Sequence, residues 1–222
     1  MTEALRIKGT AVRPDGLRFD PDEAVRHLSA ADPALGLIIE RSLPFSVRPM
    51  RTQSLFAALL ESIVYQQLSG RAAETILNRV IALYRPRRFP RPRDLLETPA
   101  PRLRAAGLSR NKAAALHDLA RHALDGTVPS LARAQAMSDD ELIERLTAVR
   151  GVGRWTVEMI LIFRLGRPDV LPVSDLGIRK GFRRAFGMRR LPAAVTITRR
   201  GERWRPYRSV ASWYLWRAAQ LE

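Results

Sequence analysis

The sequence predicts an all-α fold, and three observations carry that prediction. Apolar residues recur at helical spacing through most of the chain, strand-like alternation is scarce, and capping residues, glycines and prolines stand where the periodic stretches stop. Residues around Arg6–Val12 read as a short extended pair, and the first helices are expected within Pro21–Arg41. From Ser54 to Leu68, Leu55, Leu59 and Ile63, with Phe56, Leu60 and Val64, mark a buried face that Gly70 closes. A second helix runs from about Arg71 to Tyr84 with Ile76, Val80 and Leu83 inward. The run Arg85–Arg93 contains three prolines and makes a stiff basic connector. Short helices follow at Asp94–Glu97 and Pro101–Ala106, then a longer one at Asn111–Leu124, closed by Asp125-Gly126. Ser138 with Glu141 forms a capping box that opens a helix to about Ala148. Further helices are expected at Arg154–Leu165, ended by Gly166 and Pro168, at Leu176–Phe186 and at Tyr207–Leu221.

At 222 residues and 46% hydrophobic, the chain can bury a real core as one domain or two closely packed lobes. It has no cysteine, which excludes disulfides, thiolate metal sites, iron–sulfur clusters and Cys nucleophiles together. No apolar run is long enough for a membrane span, and MTEALRIKGT lacks the apolar run of a signal peptide, so a cytoplasmic place is expected. The 38 basic residues against 22 acidic ones give a formal charge of +16, as expected of a chain that accumulates on polyanions. Lysines are only Lys8, Lys112 and Lys180, and the other reading of the excess is an arginine bias set by base composition, with solvated faces that happen to be basic. His27, His117 and His122 are scattered and support neither a metal site nor a Ser/His system.

Between two of the expected helices lies Val149-Arg150-Gly151-Val152-Gly153-Arg154-Trp155-Thr156. Two glycines flanking one apolar residue allow a tight turn with positive φ, and Val152 can anchor that turn in the core. The amides of Gly151 and Gly153, at the start of the next helix, are oriented donors, and with the helix dipole they make a phosphate site. Arg154, Thr156 and Arg179 are assigned to the same phosphate-binding set. Such contacts read the backbone of a nucleic acid and carry no sequence information.

Twenty-two residues beyond Gly153 stands Asp175, at the start of a helix carrying Arg179, Lys180, Arg183 and Arg184. Taken alone it reads as an ordinary N-cap. The apolar Pro172-Val173 before it and the basic helix after it also suit an anion facing a developing positive charge. The hairpin, its spacing to Asp175 and the upstream Tyr65-Gln66-Gln67-Leu68-Ser69 together resemble the helix–hairpin–helix (HhH-GPD) DNA glycosylase superfamily. Within it the chain is most similar to the AlkA-type DNA-3-methyladenine glycosylases. Gly107-Leu108-Ser109-Arg110-Asn111-Lys112-Ala113 and Trp204-Arg205-Pro206-Tyr207-Arg208-Ser209 add to the likeness, which runs from about Asp20 onward.

The resemblance implies that Asp175 is the catalytic carboxylate, stabilising an oxocarbenium-like sugar while water replaces an alkylated base. Bifunctional relatives carry a lysine where this chain has Trp155, so a monofunctional enzyme that leaves an abasic site is expected, with no cofactor. Gln67, or else Leu68, takes the position of the wedge inserted into DNA; one type of relative carries an apolar wedge there, so a glutamine implies a hydrogen-bonding plug. Trp155 and Trp216 match pocket aromatics, with Trp213 on the same helical face as Trp216; ordinary core packing is the other reading of that pair. Met159 and Leu176 stand where family members have tyrosines, which implies a roomier pocket and a wider lesion range: 3-methyladenine, 7-methylguanine, 1-methyladenine and 3-methylcytosine. The carbonyls of Val149 and Val152 are candidate ligands for a monovalent cation.

The resemblance further implies two lobes with DNA in the cleft between them and no β-rich N-terminal domain. Residues 1–51 would pack with the C-terminal lobe, 52–165 would form the central lobe, and 166–222 would carry the catalytic aspartate. The expected partner is double-stranded DNA with damaged bases, bound by a monomer associated with the nucleoid. Two other readings stay open: a non-catalytic helix–hairpin–helix DNA-binding module, and a glycosylase for uracil or oxidised bases.

Overall fold

Many helix starts in this chain are set by residues whose side chains cap the exposed amides of a first turn. In the computed structural model, which describes residues 13, 16–50, 52 and 54–220, Asp20 opens α1 (Pro21–Ala31) by accepting from the amides of Asp22 and Glu23. Proline at the first position opens α2 (Pro33–Arg41). Ser54 caps α3 (Leu55–Tyr65), and Ser109 caps α7 (Arg110–Leu124). Between them lie α4 (Gly70–Ala82), α5 (Pro92–Glu97) and α6 (Ala100–Ala105). Then come α8 (Leu131–Ala136), α9 (Asp139–Thr147), which has the expected Ser138–Glu141 capping box, and α10 (Arg154–Phe163). The chain continues with α11 (Leu176–Ala185), α12 (Ala194–Gly201), a 3-10 turn at Glu202–Trp204 and α13 (Arg208–Ala218). No strand occurs among the described residues, and the fold is all-α. The extended pair expected around Arg6–Val12 lies outside the described residues. None of the helices is long and apolar enough to cross a membrane.

Two helices form where the sequence offers no apolar periodicity. Within α8 only Ala134 is buried, and within α12 only Ile197 and Gly201, too few points to trace a face. Helix α3 stops at Tyr65 rather than Leu68, because Gln67 turns into the left-handed region with φ 57°.

The chain divides into two units, one spanning Arg51–Val157 and the other Met1–Met50 with Glu158–Glu222. The boundary falls inside α10, short of the helix end expected as the limit of the central lobe. In the first unit α3 is the central helix, buried on nearly all sides, and it packs on α4 and α7, while α7 also carries α5 and α6. In the second unit α11 packs along α13, and α1 and α2 pack against the same helix. Asp32 is fully buried there, held by two 2.7 Å bonds from Arg200 and one of 2.9 Å from Trp204 Nε1.

Candidate active site and nucleic-acid interface

The hairpin is built as its residue types require. Val149 and Val152 are buried, and the Val152 amide donates to the Val149 carbonyl at 3.0 Å, closing the turn. Gly151 alone of the two glycines takes a positive φ, 79°. Gly153 sits at the head of α10, its carbonyl accepting from the Val157 amide, and the space where its side chain would be is open. A ligand backbone can therefore approach the first-turn amides, which have no acceptor inside the helix. Arg154 and Trp155 are exposed in that turn, Trp155 at 46%. Thr156 is buried.

Helix α7 supports this hairpin. Arg150 donates its amide to Asp118 Oδ2 at 2.8 Å, and a side chain at Gly151 would meet the Ala115 methyl. The α3–α4 turn is held from the same helix. Lys112 Nζ donates to the carbonyls of Val64 and Gln66, each at 2.7 Å, serving as a cation at the C-terminus of α3. Burial holds the Lys112 ammonium below the usual lysine range. Gln66 Nε2 donates to the Gly151 carbonyl at 2.9 Å. Gln67 and Leu68 are exposed at the tip of the turn. Gln67 is the one non-glycine residue with positive φ among those described, a conformation that costs about 1 kcal/mol or more.

In the second unit Asp175 caps α11, its Oδ1 accepting from the Ile178 amide at 2.8 Å. The same oxygen accepts from Trp216 Nε1, also at 2.8 Å. The expected N-cap is present, and the cap bond and the indole bond together orient one carboxylate. Trp216 reaches it because α11 lacks side chains on the facing side. A Cβ on Gly177 would stand 2.7 Å from Trp216 Cδ1, and one on Gly181 would collide with the Leu215 carbonyl. Phe163 stacks on the Trp216 ring, with centroids 5.7 Å apart and planes 29° from parallel. The loop before Asp175 is stapled to α13: Ser209 Oγ donates to the Arg167 carbonyl and Ser212 Oγ to that of Val170, while Arg208 grips Asp169.

The remaining expected residues fall differently. Trp213 is 6% exposed and packs edge-on against Phe45 and Tyr214, which places it in the core rather than on a pocket wall. The reason is that α13 is buried on nearly every side from Ser209 to Leu215. Leu176 is exposed at 53%, and Met159 is half-buried. Arg179 spends its Nε on the Pro192 carbonyl at 3.1 Å, tying down the segment between α11 and α12. Phe163, Gly177, Gly181, Gln66 and Lys112 were not singled out as site residues from the sequence. The Gly177-x-x-x-Gly181 spacing on a helix that follows Asp175 was the signal available for the two glycines.

Residues 60–206, spanning the hairpin and Asp175, match the family model of the HhH-GPD superfamily base excision DNA repair proteins. The chain belongs to that superfamily. It is 37% identical over 174 residues to DNA-3-methyladenine glycosylase 1 of Schizosaccharomyces pombe, covering 78% of this chain and 76% of that protein. Among solved structures it resembles the 3-methyladenine DNA glycosylase of S. pombe in complex with abasic DNA, with TM-score 0.77 and 34% identity, covering 90% of this chain and 97% of that one. It also resembles a DNA-3-methyladenine glycosidase from Bacillus halodurans, with TM-score 0.81 and 34% identity, covering 90% and 91%.

Proposed function

We propose that this chain is a monofunctional DNA glycosylase of base excision repair that hydrolyses the N-glycosidic bond of alkylated bases and leaves an abasic site. Its substrates are damaged bases in double-stranded DNA, 3-methyladenine and 7-methylguanine foremost, with 1-methyladenine and 3-methylcytosine admitted by the smaller side chains of Met159 and Leu176. The observation that carries the reading is Asp175, held at the head of α11 by two donors on one oxygen, in a chain whose relatives are named DNA-3-methyladenine glycosylases.

The hairpin amides at Gly151 and Gly153, with Arg154, grip phosphates, and Arg179 adds positive charge near Asp175. The carbonyls of Val149 and Val152 are the groups that would hold a monovalent cation, which would supply positive charge toward a phosphate; the Val149 carbonyl also accepts from the Val152 amide. Gln67, with Leu68 beside it, fills the gap when the damaged nucleotide leaves the stack. A cationic base over the indole of Trp155, or over that of Trp216, gains a cation–π term. The C1′–N bond breaks with its electron pair going to the base, which a cationic base accepts without a proton. The Asp175 carboxylate stabilises the sugar cation, and water adds at C1′ and releases its proton to the carboxylate or to solvent. Trp155 at the lysine position offers no amine for a Schiff base, so the strand is left uncut. The protein acts as a monomer on the nucleoid in the cytoplasm.

Asp175→Asn tests this on duplex DNA with a single alkylated base. Base release is expected to fall by about 100-fold or more with DNA binding retained, the scale of removing a preorganised electrostatic group. Unchanged release overturns the catalytic role, and a borohydride-trapped adduct overturns the monofunctional one. A strict preference for 3-methyladenine across a panel of single lesions overturns the broad substrate range.

A further inference from the structure

Nothing in a glutamine side chain favours the left-handed backbone of Gln67, so its neighbours must impose it. The Gln66 carbonyl lies in the peptide plane that ends at the Gln67 nitrogen. Lys112 Nζ, 2.7 Å from that oxygen and from the Val64 carbonyl, fixes the plane from which Gln67 turns. The side chain of Gln66 fixes the other direction through its 2.9 Å bond to the Gly151 carbonyl. Gly151 belongs to the hairpin, and the hairpin rests on Asp118, further along the same α7 that carries Lys112. One helix therefore holds both the wedge turn and the phosphate grip, and Gln66 links the two directly.

We propose that Lys112 is a positioning residue for base extrusion. With Gln66 it locks the α3–α4 turn to the hairpin, so that Gln67 meets the duplex already strained and at a set offset from the gripped phosphates. The inference rests on Gln67 as the wedge. Without the lock, the turn must be ordered during insertion, and that cost falls on opening the duplex rather than on bond cleavage. It should weigh on a lesion paired with its normal partner and spare one that is already mispaired, where less stacking and pairing must be broken.

The test compares single-turnover base release from 7-methylguanine in its normal pair and in a mispair, for Lys112→Met, Lys112→Arg, Gln66→Leu and Gln67→Ala. Fluorescence of 2-aminopurine placed beside the lesion reports opening independently of cleavage. Lys112→Met is expected to slow release from the normal pair about tenfold, equivalent to about 1.4 kcal/mol, and to reduce the opening signal. Release from the mispair should change by less than about threefold, since little opening work remains there. Lys112→Arg should recover most of the loss, because it restores a cation with several donors. Gln66→Leu should follow Lys112→Met; it removes only a half-buried side-chain bond, which keeps the test available if Lys112→Met fails to fold. Equal losses on both substrates for Gln66→Leu, or no loss, overturn the positioning role. If Gln67→Ala alone lowers the ratio of normal-pair to mispair rates, the wedge stands and the Lys112 inference falls. If Gln67→Ala leaves the ratio unchanged, the wedge reading itself fails and the inference with it.

Discussion

A single methyl group at Gly177 should separate catalysis from folding. In Gly177→Ala the new Cβ would sit 2.7 Å from Trp216 Cδ1, 3.0 Å from Asp175 Oδ1 and 3.2 Å from Trp216 Nε1, so the indole must withdraw from the carboxylate. The bond lost is charge-assisted, worth about 1.5–3 kcal/mol, which corresponds to a rate loss of about ten- to a hundredfold if the orientation of Asp175 matters in the transition state. Stability should move far less. Alanine is favoured over glycine in a helix by about 1 kcal/mol, which offsets part of the cost of about 1–3 kcal/mol for displacing a packed ring. The assay is single-turnover base release from an alkylated duplex beside a thermal melt of the same preparation. Trp216→Phe removes the same N–H while keeping a ring against Phe163, so it should cause a similar loss. The double variant should be no slower than the worse single, because both changes remove one interaction. A Gly177→Ala rate within about twofold of the parent would refute the claim that this bond orients the carboxylate for catalysis.

Gly181→Ala should behave in the opposite way. Its Cβ would fall on the Leu215 carbonyl, which as backbone cannot turn aside, so α11 and α13 must separate; a loss of about 3 kcal/mol or more in a urea titration is expected. Arg200→Met leaves Asp32 buried with no cation beside it and only neutral N–H groups, those of Trp204 and Leu35, against its charge, and should cost about 3 kcal/mol. Burial alone pushes Asp32 up, but the bonds from Arg200 and Trp204 and the Arg200 charge hold it below its ordinary value of 3.8. Its stabilisation is therefore present above that pH and lost as pH falls through the lower folded value; Arg200→Met should shift acid unfolding, followed by circular dichroism, to higher pH. Tyr207 is pushed up to about 12 by burial and by the bond it donates to Glu23 Oε1. That contribution is full below pH 10 and fades as pH rises toward 12, so the stability gap between the parent and Tyr207→Phe should narrow over that interval in urea midpoints.

Most of the fold was legible because its longer helices bury two or more residues on a face, and proline marks the starts of the short α5 and α6. Ser54, Ser109 and Ser138 cap where their types suggest, and Val149 and Val152 bury as the hairpin reading expects. The exceptions have local causes. Helices α8 and α12 bury too little to leave a pattern, and Gln67 ends α3 early through a backbone state that its own side chain does not favour. Trp213 and Trp216 share a spacing and a residue type, yet one is core and the other meets Asp175, because only the neighbouring helix distinguishes the two positions on α13.

Taken alone, the sequence determined what depends on near neighbours: the helical class, the turn chemistry at Gly151–Gly153 and an aspartate heading a basic helix. The tertiary structure decided which distant groups meet. Trp216 lies 41 positions from the Asp175 it orients, and Lys112 lies 46 from the Gln66 carbonyl it holds. Such bonds form only when helices pack at a given distance and rotation. At Gly177 and Gly181 that distance depends on two missing side chains, whose effect appears only once α13 lies against them.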